Sequence, residues 1–156
     1  MTTLKLVATG ASVETQSAPL FDEIVRQCFG GRTAVRRFAA LAGDASTRRY
    51  TRLWLDGPSA PASVVAMVLA DRGIALSSEE LAVLKEPPTE LPYVNVHRFL
   101  SSFGVAVPEL YADASERGVL LLEDIGDTAL WDAAQRQSSE TVLRLYQRAI
   151  DQLLLI

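Results

Sequence analysis

Six consecutive apolar residues, Val64-Val65-Ala66-Met67-Val68-Leu69, follow closely on the turn signal Asp56-Gly57-Pro58. Successive side chains of a strand point to opposite faces, so a strand with one wet face alternates apolar and polar residues. A short run that never alternates, set after a turn, reads as a central strand covered on both faces. The predicted strand spans residues 63–70, and the rest of the chain has to supply its neighbours and its covers. With 156 residues, 49% hydrophobic and 22% charged, the chain suits one ordinary globular domain with a real core and argues against disorder.

Neighbouring segments supply candidate partners. Thr33 to Leu41 and Arg48 to Leu55 read as extended and are separated by the turn signal Gly43-Asp44-Ala45-Ser46, which predicts a hairpin. Two further short strands fit Pro108 to Ala112 and Val119 to Leu122, joined by a polar turn. Helical spacing of Leu20, Ile24, Val25 and Cys28 predicts a helix over 18–29, opened by Ser17 and Pro19 and ended by Gly30-Gly31. Asp22 and Glu23 would then sit in its first turn, where the helix dipole favours acidic groups. Ser77, three residues before Glu80, forms a capping-box pattern for a short helix. A longer helix from Leu91 to Phe103 is predicted to place Val96, Phe99, Leu100 and Phe103 on one face.

A formal net charge of −4 offers no broad basic surface for a nucleic acid backbone. The single cysteine, Cys28, excludes an internal disulfide and a multi-cysteine metal cluster. The first residues lack the basic and apolar stretches of a secretory signal, and no apolar segment has the length of a membrane span. A cytoplasmic location is expected.

Three segments carry a family resemblance: Gly43-Asp44-Ala45-Ser46-Thr47-Arg48-Arg49-Tyr50, Val105-Ala106-Val107-Pro108-Glu109-Leu110, and Leu120-Leu121-Leu122-Glu123-Asp124-Ile125-Gly126-Asp127. Together they resemble the aminoglycoside phosphotransferase-like family of the protein-kinase-like fold. Within it they look most like bacterial kinases acting on the anomeric hydroxyl of N-acetylmuramate and N-acetylglucosamine in cell-wall recycling. The resemblance runs from about Phe38 onward, and the leucine-rich Glu-Asp segment followed by Gly-Asp is its most specific part. It implies an α+β fold: a kinase-like N-terminal lobe over 1–122 with a five-stranded antiparallel sheet and one principal helix, a hinge at 123–127, and the start of a truncated helical lobe at 128–156.

The resemblance also implies roles. Ala45, Ser46, Thr47 and Arg48 would fold over the phosphates of ATP, with backbone N–H groups aimed at the anionic oxygens. Val65 would cover one face of the adenine and Leu122 would lie behind it, while the Glu123 carbonyl and the Ile125 N–H would read its edge. Met67 stands where many kinases of this fold place a phosphate-binding lysine. The family's His-x-Asp loop, its downstream Asn and its metal-binding Asp have no counterpart, since the only histidine is His97, far upstream on a predicted helix. Catalytic residues and Mg²⁺ ligands are therefore expected in a missing C-terminal lobe, with ATP and a small sugar-like acceptor as partners, and this chain alone is expected to be inactive. The rival expectation is a non-catalytic interaction or regulatory module that reuses a kinase lobe.

Remaining residues have plainer expectations. His97 reads as a structural or surface helix residue and Cys28 as a small core residue. Trp54 and Trp131 would anchor packing. The last helix is predicted to start near Ser138-Ser139-Glu140 and to bury Val142, Leu145, Tyr146, Ala149, Ile150 and Leu153. Its uncapped apolar end, Leu153 to Ile156, is expected to pack against a continuation of the chain.

Overall fold

The computed structural model describes residues 11–42, 48–69 and 90–156, with side chains from Ser17 onward. In chain order its elements are α1 (Ala11–Phe29), β1 (Ala34–Ala40), β2 (Arg49–Asp56), β3 (Ser63–Val68), α2 (Pro92–Ser102), β4 (Leu110–Ala114), a 3-10 turn (Ser115–Arg117), β5 (Val119–Glu123), α3 (Leu130–Arg136) and α4 (Ser139–Leu153). The class is α+β. All strand pairs are antiparallel, and the sheet order is β1-β2-β3-β5-β4.

That order puts β3 at the centre, which explains its unalternating sequence. Val64 and Ala66 face α1, while Met67 faces a second cluster on the opposite side, and all three are fully buried. β5 is covered in the same way, from Val119 through Leu122. β2 has one wet face and alternates: Thr51, Leu53 and Leu55 are buried beneath α1, and Tyr50, Arg52 and Trp54 lie on the other side.

α1 makes the principal core with Phe21, Ile24 and Val25 set on Leu53, Leu55, Val64, Val119 and Leu121. The helix extends N-terminally beyond the expected 18–29, so Pro19 lies inside it, exposed, instead of opening it. A proline removes one backbone donor, and the remaining turns of a long helix tolerate that loss when one face is firmly packed. Asp22 and Glu23 are consequently mid-helix residues with tertiary roles. Asp22 Oδ1 accepts the Val35 N–H at 2.9 Å, and Glu23 pairs with Arg117 through contacts of 3.0 and 2.6 Å. Cys28 is half-buried against this core, its thiol 3.7 Å from the Tyr111 carbonyl, and burial pushes that thiol up from its ordinary value.

At the β2–β3 turn, Gly57 stands so close to Thr33 that a Cβ would lie 2.5 Å from Thr33 Oγ1. Thr33 is itself buried and donates to the Phe29 carbonyl at 3.1 Å, so it cannot swing away.

α2 packs differently from expectation. Tyr93 and Val94 turn toward the Met67–Leu120–Leu122 cluster, whereas Val96, Phe99 and Phe103 point outward, about half exposed. Only Leu100 of the expected four is on the half-buried side. Phe99 and Phe103 shield one another, with ring centroids 4.9 Å apart. His97 has the structural role expected of it: its Nε2 lies 2.8 Å from the Pro108 carbonyl, so that nitrogen donates and ties α2 to the approach of β4.

α4 begins where the sequence places it, with Ser138 as N-cap accepting the Thr141 N–H. Gln152 Oε1 accepts the Ala106 N–H at 2.7 Å, fastening this helix to the α2–β4 loop. No residue of α4 is buried, so Tyr146, Ile150 and Leu153 present an apolar face uncovered by the described residues. Trp131 is 69% exposed and, contrary to expectation, anchors no packing among the described residues, where α3 belongs to neither core cluster. The capping-box pattern at Ser77 and Glu80 lies outside the described residues.

Candidate functional site

The sheet face opposite α1 is organised in rows that cross the strands. Registry sets Arg52 opposite Val65, Val65 opposite Leu122, and Leu122 opposite Leu110. The row beside it runs Tyr50, Met67, Leu120, and the row on the other side starts with Trp54 opposite Ser63. Residues two apart on a strand share a face, so Asp124 extends the Leu120, Leu122 series to a place beside Ser63. Val65, Met67 and Leu122, expected around a nucleotide, are therefore brought together on one face.

Their exposures differ. Met67 and Leu122 are buried with Leu120, and Val65 keeps partial access. Glu123 closes β5, donating its N–H to the Glu109 carbonyl at 2.8 Å while its carboxylate accepts the Glu109 N–H at 3.1 Å. Ile125 is 75% exposed, and among the described residues its N–H has no hydrogen-bond partner. Ala45, Ser46 and Thr47 lie outside the described residues. Arg48, just after them, is exposed and lines a cavity of about 290 Å³ together with Tyr93, Val96, His97, Leu100 and Val107.

The best-defined polar cluster was not foreseen. Arg52, its side chain 12% exposed, reaches from β2 to the segment after β5. Its NH1 donates to Asp127 Oδ2 at 2.7 Å, and its NH2 to Asp127 Oδ1 at 2.8 Å and Asp124 Oδ1 at 2.9 Å. Nε lies 2.7 Å from Asp124 Oδ2, out of line for a hydrogen bond. Asp124, 7% exposed, also accepts from Ser63 Oγ at 2.7 Å and from the Gly126 N–H at 3.0 Å. Gly126 has φ of +84°, a left-handed conformation that favours glycine and lets its N–H fold back onto Asp124.

Charge follows geometry. Burial pushes the Asp124 carboxyl up, but the Ser63 hydroxyl, Arg52 and the Gly126 N–H outweigh it and hold the group below its ordinary value. Hydrogen bonding to Arg52 holds Asp127 down likewise. The two carboxylates in turn raise the Arg52 guanidinium above its already high value. The signal for this cluster was present in the alternation of β2: with Leu53 and Leu55 inward, Arg52 has to share the face of Val65. On the same face, Arg37 lies 3.5 Å over the Trp54 ring, so Trp54 packs under a cation and belongs to neither core cluster.

Among the described residues no group of three or more His, Cys, Asp or Glu side chains could hold a metal ion. No described helix is long and apolar enough to cross a membrane. No family model matches the chain, and neither a curated protein nor a solved structure does.

Proposed function

We propose that this chain is the nucleotide-binding portion of an ATP-dependent phosphotransferase of the aminoglycoside phosphotransferase-like type, acting on a small-molecule hydroxyl such as that of an amino sugar. One observation carries the reading: β5 leads from a buried face shared with Val65 directly into a segment that, among the described residues, pairs with no strand. A flat heterocycle suits an apolar slot with a few aimed polar groups at its rim. Val65, which keeps partial access, gives the slot its apolar wall with the buried Leu122 behind it, and the Ile125 N–H and Glu123 carbonyl give it one donor and one acceptor. The strand order, the helix between β3 and β4, and the helices after 127 support the same kinase-like reading.

In this reading the chain binds and orients the base, and the phosphates lie toward Arg48. Phosphoryl transfer depends largely on positioning and electrostatic stabilisation. No metal role is proposed for the described residues, among which no group of three or more His, Cys, Asp or Glu side chains could hold an ion.

The test is ATP affinity in the full-length gene product. Glu123→Ala keeps the backbone carbonyl and should change affinity little, whereas Ile125→Pro deletes the N–H donor and should weaken it about tenfold or more. Equal effects from the two substitutions would refute the assigned register. Absence of ATP binding in the full-length protein would refute the reading itself and favour a non-catalytic interaction module.

A further inference from the structure

From residue 123 to residue 130 every side chain is exposed except Asp124. Among the described residues, packing therefore does not fix the path of this segment, and after Glu123 it has no ladder partner. What holds it is polar. Ser63 on β3 and Arg52 on β2 grip Asp124, Arg52 alone grips Asp127, and Asp124 accepts the Gly126 N–H between them. Ile125 sits between the two carboxylates that Arg52 holds, with its own N–H unengaged among the described residues.

We infer that Arg52 is a positioning residue, which pins Asp124 and Asp127 to the sheet so that the backbone of residues 123–125 is presented at the rim of the base slot. The inference rests on the nucleotide reading above and assigns the site a fixed edge. A planar guanidinium donates from its two terminal nitrogens at set angles and so holds two carboxylates in one arrangement. A lysine ammonium at the same place keeps the charge but has neither the fork nor the reach to fix both. Arg52 touches neither base nor phosphate in this scheme, because both of its terminal nitrogens donate to the two aspartates and its Nε is buried beside Asp124.

The experiment uses the 156-residue chain with Arg52→Lys and Asp127→Asn, the latter chosen because its side chain is 75% exposed and its loss opens no cavity. Hydrogen exchange of the Gly126 amide, the one amide of 124–127 with a hydrogen bond among the described residues, is read first, against core amides of β3 and β5. The expected result is exchange at least about tenfold faster at Gly126 for Arg52→Lys, less for Asp127→Asn, with core amides unchanged, since its acceptor Asp124 is no longer held in place. Equal exchange in wild type and Arg52→Lys would overturn the inference.

ATP and inorganic tripolyphosphate are then titrated by chemical-shift changes, which also read weak affinities. Loss of edge positioning should weaken ATP about tenfold and leave tripolyphosphate unaffected, because only ATP carries a base. A loss shared equally by both ligands would mark a merely structural role and overturn the inference, as would faster exchange with unchanged ATP affinity. If the wild-type chain binds no ATP, the base-edge role of Arg52 fails for this chain; the exchange result still decides whether Arg52 fixes the segment, and ATP binding by the full-length protein decides the nucleotide reading.

Discussion

Phe21 and Phe99 make a matched pair for testing how the two helices are set on the sheet. Both are interior helix positions, so truncation to alanine improves helix propensity by a similar few tenths of a kcal/mol in each and cancels in the comparison. Their surroundings differ: Phe21 is 2% exposed within the core cluster, and Phe99 is 50% exposed with Phe103 as its aromatic partner. Phe21→Ala removes the transfer free energy of a fully buried ring and leaves a cavity lined by Leu and Val side chains, about 3–5 kcal/mol together. Phe99→Ala loses about half the burial and one aromatic pair, about 1 kcal/mol. The difference, about 3 kcal/mol, corresponds to a gap in Tm on the order of 8 °C for a domain of this size. Urea unfolding followed by circular dichroism, with m compared between variants, is the assay. Equal midpoint shifts, or a larger shift for Phe99→Ala, would refute the assignment of α1 as the core helix and of the outer α2 face as solvent-facing.

Two further outcomes follow from particular contacts. Gly57→Ala should destabilise the chain by about 1–3 kcal/mol, because the new methyl meets the buried Thr33 side chain at 2.5 Å, and Thr33→Ser in the same background should recover part of the loss by removing Cγ2, 3.0 Å away. No loss in Gly57→Ala by thermal unfolding would show that the turn relaxes freely. Stability should also fall in acid: carboxyls held below their unfolded values stabilise the fold above about pH 4, and that contribution disappears as pH drops through the folded values. The Tm difference between wild type and Asp124→Asn should therefore shrink between pH 5 and pH 2, and a constant difference across that range would contradict the charged role of Asp124.

Periodicity and local turn chemistry determined much of this molecule before tertiary structure entered. The unalternating 64–69 run demanded a strand covered on both faces, and β3 occupies the middle of the sheet for that reason. Ser138 could be read as a helix start because an N-cap acts within one turn of its own residue. Val65 and Leu122 were named from the family resemblance, and it is the β3–β5 register that sets them opposite one another on a common face. What remained hidden depends on which elements meet. Spacing alone puts Val96, Phe99 and Phe103 on an apolar stripe, but a helix also carries Tyr93, Val94 and Leu100, and the neighbouring sheet selects which side is buried. Pro19 could not be placed as interior, because tolerance of a proline depends on how tightly the rest of α1 is packed. Arg52 lies more than seventy residues from both Asp124 and Asp127 along the chain. Their attraction acts through space, so the clamp that shapes the candidate site exists only once β2, β3 and β5 have been laid side by side.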